Sequence, residues 1–97
     1  MPSVNITVKW PNGELNDYYS PSTIVYEFFQ AGQQLAATDF LSQSEQALSA
    51  ASERVHARYG FACSSAMDSL SKIKYQAKHL NVLQDDVIEI VDIYNID

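Results

Sequence analysis

The sequence predicts an α+β domain. A small antiparallel sheet, built from a β-hairpin and a C-terminal strand, packs on a helical hairpin in the order ββαααβ. Three observations predict it. Residues 4–10 alternate apolar and polar and run into Pro11-Asn12-Gly13, the pattern of a half-buried strand entering a reversal. Residues 38–80 place apolar side chains at helical spacing, broken once by Gly60. Residues 87–94 are rich in β-branched side chains and read as a strand again. Ninety-seven residues suit a single domain, 1–97, with one modest core.

Val4, Ile6, Val8 and Trp10 alternate with Ser3, Asn5, Thr7 and Lys9, so the first strand has one apolar face. Proline presets the turn and Asn12-Gly13 tolerates positive φ, so the chain turns back into a second strand at about 14–19. Ser20 then stands as an N-cap with Pro21 at the first helical position. Ile24, Val25, Phe28 and Phe29 follow at helical spacing, and Gly32 ends this short helix; the β-branched run at 23–26 makes a strand the alternative. The main helix spans about 38–59, from Thr38 as N-cap to Gly60 as left-handed stop. Its inward stripe is Phe40, Ser44, Ala47, Leu48, Ala51 and Val55, whose small members let a neighbouring helix approach closely. That neighbour spans about 65–80, with Ala66, Met67, Leu70, Ile73, Ala77 and Leu80 inward and Ser65 with Asp68 as a capping-box-like start. The last strand carries Val87, Val91 and Ile93 on one face and Ile88 and Ile90 on the other, which suits a central strand or one whose outer face is covered, and the simplest sheet sets it beside the first strand.

The composition excludes several functions. A net charge of −6 argues against nucleic acid, whose phosphates require clustered Lys and Arg. No apolar run approaches the ~18 residues of a membrane span, and no leader pattern opens the chain, so a cytoplasmic protein is expected. A lone cysteine fits a reducing compartment. The charge is segregated: residues 54–78 hold five of the six Lys and Arg, and residues 85–97 hold five acids and no base. Two solvated faces account for this; an anion site on the basic segment is the sharper alternative.

Chemistry could sit at one corner. Cys63 precedes the second long helix, where backbone N–H groups and the helix dipole favour a thiolate. A partner base is missing, because His56 and His79 both fall on polar helix faces. Cys63 is therefore expected to be a buried, slowly reacting thiol whose replacement by Ala costs on the order of 1 kcal/mol. Arg58 falls on the face of Ala47 and Ala51, either snorkelling outward or holding an anion bidentately, with Tyr59 beside it to orient that group. Zinc spacings, phosphate loops and nucleophile elbows are absent, so no cofactor, no metal and no catalytic residue is expected. Tyr18, Tyr19, Tyr26 and Tyr94 could form an aromatic patch on an open sheet face.

In "KWPNGE" at 9–14, "YSPSTIV" at 19–25 and "ASERVHARYGFACSSAMD" at 51–68, the chain resembles a small family. These are nitrogen-starvation-response proteins encoded in bacterial nitrilase gene clusters, linked to cyanide and nitrile assimilation. The resemblance implies a cytoplasmic protein working beside the enzymes of such a cluster, and it brings no enzymatic activity. Two functions follow. The first is a non-enzymatic accessory protein that binds a protein of the nitrilase-linked pathway, with a homodimer through the sheet as a further expectation. The second is a small-molecule or thiol-dependent site formed by Arg58, Tyr59 and Cys63.

Overall fold

The computed structural model describes residues 2–60 and 64–96, with Tyr59 placed by its backbone alone. Among them run β1 (Val4–Lys9), β2 (Leu15–Ser20), a 3₁₀ turn (Thr23–Glu27), β3 (Gln34–Ala36), α1 (Ala37–Tyr59), α2 (Ser64–His79) and β4 (Val87–Asn95). The strands form one antiparallel sheet in the order β2-β1-β4-β3. Val4, Ile6, Val8, Ile88 and Ile90 project from one face of it into a shared core with the helices. The α+β architecture is the expected one, with β1 and β4 adjacent. β3 is a fourth strand that the sequence does not predict.

The hairpin forms as its residues dictate. Trp10 N–H donates to Glu14 C=O (2.9 Å), Gly13 takes φ 91°, and Asn12 Oδ1 accepts from Glu14 N–H (3.0 Å). Past the hairpin, the helix cap is Ser22 rather than Ser20: its Oγ accepts from Ile24 N–H (3.2 Å) and starts a 3₁₀ turn. Ser20 instead donates its hydroxyl to Ser22 C=O (2.8 Å) and tightens the entry.

β4 is central, one of the two placements its sequence allows, but its faces differ from strict alternation. Thr7 pairs with Asp92 while Val8 pairs with Ile90, so Val91 is the extra residue of a β-bulge. The bulge resets the parity. Ile88 and Ile90 are buried before it, and Ile93 pairs with Ile6 and packs on the same core after it. Ile93 therefore leaves the face assigned to it with Val87 and Val91.

α1 starts earlier than Thr38. β3 runs directly into it through Ala36, which has no side-chain cap. The helix N-terminus is satisfied from the loop before β4, where Ala37 N–H donates to Asp86 C=O (2.8 Å) and Thr38 N–H to Gln84 C=O (3.4 Å). The expected stripe of Phe40, Ser44, Ala47, Leu48, Ala51 and Val55 is buried throughout. On α2 the buried residues are Ala66, Ser69, Leu70, Ile73 and Ala77, whereas Met67 is left exposed on the rim of the stripe. α2 begins at Ser64, and Asp68 pairs with Lys72 at 3.3 Å one turn on. The core closes around Trp10, which meets Phe40 edge-on (centroids 5.7 Å, 81°), and Phe29 packs tilted against Phe40 (5.9 Å).

Candidate functional site

The Arg58 corner lies at the C-terminal end of α1. The buried stripe of α1 ends at Val55, and Arg58 is exposed one turn later. Gly60 takes φ 79° and donates its N–H to His56 C=O (2.8 Å), the expected left-handed stop. Cys63 and the Tyr59 side chain lie outside the described residues, so the three candidates are not seen together. His56 and His79 are exposed, and His79 stacks on Tyr75 (5.7 Å, 10°). Among the described residues no three His, Cys, Asp or Glu side chains could share a metal ion.

The face of the sheet turned away from the helices is open. Its side chains fall in cross-strand rows set by register: Tyr19–Asn5–Tyr94, then Asp17–Thr7–Asp92, then Leu15–Lys9–Glu89–Gln34. Leu15, Tyr19, Val87, Val91 and Tyr94 are exposed there. A polar network ties the middle together. Asn5 Nδ2–H donates to Asp17 Oδ1 (3.1 Å) and to the Tyr94 hydroxyl (3.3 Å), and the Thr7 hydroxyl donates to Asp17 Oδ1 (2.7 Å). The Thr7 bond first, and then the Asn5 bond, hold the Asp17 carboxyl below its ordinary value. Asp17 is a fixed negative charge.

Two of the four expected patch tyrosines sit on this face. Tyr26 is exposed but donates its hydroxyl to Asn95 Oδ1 (2.7 Å) beside the sheet's end. Tyr18 belongs to the core side, opposite Ile6, and is buried. Burial pushes its phenol above its ordinary value; the nearby Trp10 indole N–H opposes the rise, and the Glu14 charge adds to it. That indole N–H makes no hydrogen bond of normal geometry among the described residues.

β2 is an edge strand, and hydrogen-bond alternation shows which of its groups are free. Trp10 bonds to Glu14, so the pairs Val8–Asn16, Ile6–Tyr18 and Val4–Ser20 are the hydrogen-bonded ones in the same register. The N–H and C=O of Leu15, Asp17 and Tyr19 point away from the sheet. α2 packs along this edge, and two hydrogen bonds tie it there: the Ser69 hydroxyl donates to Tyr19 C=O (2.6 Å), and Gln76 Nε2–H donates to Glu14 Oε2. Between these ties a groove of about 440 Å³ opens, lined by Asn16, Asp17, Tyr18, Ser71, Lys72, Tyr75 and Gln76. It lies within the size range of ligand sites. Sequence reasoning misses it because no single segment builds it. Its one legible signal is the alternation of Leu15, Asp17 and Tyr19 against Asn16, Tyr18 and Ser20.

A protein-family model described as nitrogen starvation-induced protein NitG matches residues 5–93. The chain belongs to the NitG family. The matched span of this NitG-family protein contains the whole open face of the first two strands, the β2 edge with its groove, and the Arg58 corner. It agrees with the nitrogen-starvation resemblance carried by residues 9–14, 19–25 and 51–68. No curated protein and no solved structure matches the chain.

Proposed function

We propose that this NitG-family protein is a non-enzymatic accessory of the nitrogen-starvation response that acts in the cytoplasm by binding a protein of a nitrilase-linked pathway. The observation that carries the reading is the open sheet face, where Leu15, Tyr19, Val87, Val91 and Tyr94 are exposed around an ordered Asn5–Thr7–Asp17 network. Aromatic side chains held by neighbouring hydrogen bonds lose little entropy on contact with a partner, which suits them to an interface. The family membership supplies the physiological setting, and the resemblance supplies the nitrilase link. A homodimer through the same face is the self-associating form of the reading. The alternative, an anion held by Arg58 with Cys63 as thiol, is tested separately by native-state alkylation of Cys63.

The test is co-purification from nitrogen-starved cells with tagged wild type, Tyr94→Lys, and Lys78→Glu on the helical side. A partner identified as a product of the nitrilase-linked cluster should accompany wild type and Lys78→Glu, and be lost with a folded Tyr94→Lys. Equal recovery by Tyr94→Lys, or no partner above the untagged control, would overturn the reading.

A further inference from the structure

We infer that the β2 edge takes an extended peptide segment of the partner, with a lysine or arginine opposite Asp17. This rests on the partner-binding reading and names the chemistry of what binds. The free N–H and C=O of Asp17 belong to one residue and point the same way out of the sheet, an arrangement matched by the C=O and N–H of one residue in a second extended chain. Residues 15–18 lie between the two ties to α2, roughly 13 Å of strand, so only a short stretch of a partner can pair there. The groove of about 440 Å³ beside them gives that stretch room.

Register then dictates side-chain chemistry. The partner residue opposite Asp17 projects onto the open face, directly across from a carboxylate that Thr7 and Asn5 keep ionised. Opposite charges in that position attract and like charges repel. The residues on either side project toward Ser71, Lys72, Tyr75 and Gln76, where the Lys72 ammonium and the Ser71 and Gln76 side chains favour polar or acidic side chains. A second copy is a poor occupant. Antiparallel pairing of two β2 edges about Asp17 sets the two Asp17 carboxylates against each other, and each chain carries a net charge of −6.

The probe is an acetylated and amidated peptide, Thr-Val-Thr-Lys-Thr-Val-Thr, titrated into the ¹⁵N-labelled full chain and followed by amide shifts. Shifts should be confined to residues 14–20 and 69–76. The peptide with Glu in place of Lys should bind roughly tenfold more weakly, and N-methylation at the central residues should abolish binding. Asp17→Lys should reverse the charge preference. The preference in the wild-type protein stands as evidence even if that variant does not fold. Absence of shifts at millimolar peptide, shifts centred elsewhere, or equal binding of the Lys and Glu peptides would overturn the inference. If the partner is still recovered through Tyr94 in that case, the inference alone fails and the partner-binding reading survives. Peptide binding at β2 without any partner at the open face would instead sink that reading and leave the peptide site standing.

Discussion

Trp10 offers a test of the core in which two opposing magnitudes can be separated. The side chain is only 1% exposed and meets Phe40 edge-on, so Trp10→Ala should cost about 3–5 kcal/mol, with the aromatic pair accounting for about 0.5–1.5 of it. Trp10→Phe is a different perturbation. The smaller ring leaves a cavity that, at about 24 cal/mol per Å³, costs on the order of 1 kcal/mol. It also removes a buried indole N–H that faces Tyr18 without a hydrogen bond of normal geometry, relieving part of a desolvation penalty of about 1–3 kcal/mol. With the lost burial of the larger ring added to the cavity cost, the two effects nearly cancel, so Trp10→Phe should lie within about 1 kcal/mol of wild type. Urea unfolding with an unchanged m value gives the numbers. The same substitution removes the N–H that opposes the rise in the Tyr18 pKa, so tyrosinate absorbance of Tyr18 should appear at still higher pH. A Trp10→Phe protein that loses more than about 2 kcal/mol, or whose Tyr18 titrates earlier, would refute the reasoning.

Gly60→Ala should destabilise by about 1 kcal/mol or more through its backbone alone, because a Cβ there meets nothing within 4 Å yet φ is +79°; thermal melting should fall by about 4–8 °C, and an unchanged midpoint would contradict this. The depressed Asp17 pKa contributes stability that is present above the ordinary value of 3.8 and lost as pH falls through its folded value, so Thr7→Val should weaken the protein at pH 7 and the gap should close in acid. The raised Tyr18 pKa has the opposite sign: its contribution is present below pH 10 and lost as pH rises beyond it, which alkaline unfolding of wild type against Tyr18→Phe will show. Deleting Val91 should leave the protein folded, since Val8–Ile90 and Thr7–Asp92 then become consecutive pairs of a regular ladder. Loss of cooperative unfolding would mean that the strand has no bulge there.

The sequence is most legible where periodicity is local. The alternation from Val4 to Trp10, the Asn12-Gly13 turn, the α1 stripe and the Gly60 stop each follow from spacing and backbone chemistry within one segment. Legibility fails where a distant segment decides. β3 is three residues, too short for a period, and is held in place by β4 through Gly32 N–H to Ile90 C=O (2.7 Å) and Ile90 N–H to Gln33 C=O (2.8 Å). Spacing alone misplaces the start of α1, because its cap is the Asp86 and Gln84 carbonyls rather than a side chain at Thr38. Alternation puts Ile93 on the wrong face because no glycine near Val91 marks the bulge that turns it. The β2 edge and its groove cannot be located without the strand order, since the alternation of Leu15, Asp17 and Tyr19 shows which side chains share a face but not which strand lies outermost.

Site-specific photo-crosslinking tests the central claim most directly. A benzophenone amino acid is placed at Tyr94 on the open face, at Leu15 beside the β2 edge, and at Lys78 on the helical side, and cells are irradiated during nitrogen starvation. Binding through the sheet predicts one discrete adduct of the same mass from Tyr94 and Leu15, and none from Lys78. An adduct from Lys78 alone, or from all three positions equally, would contradict it.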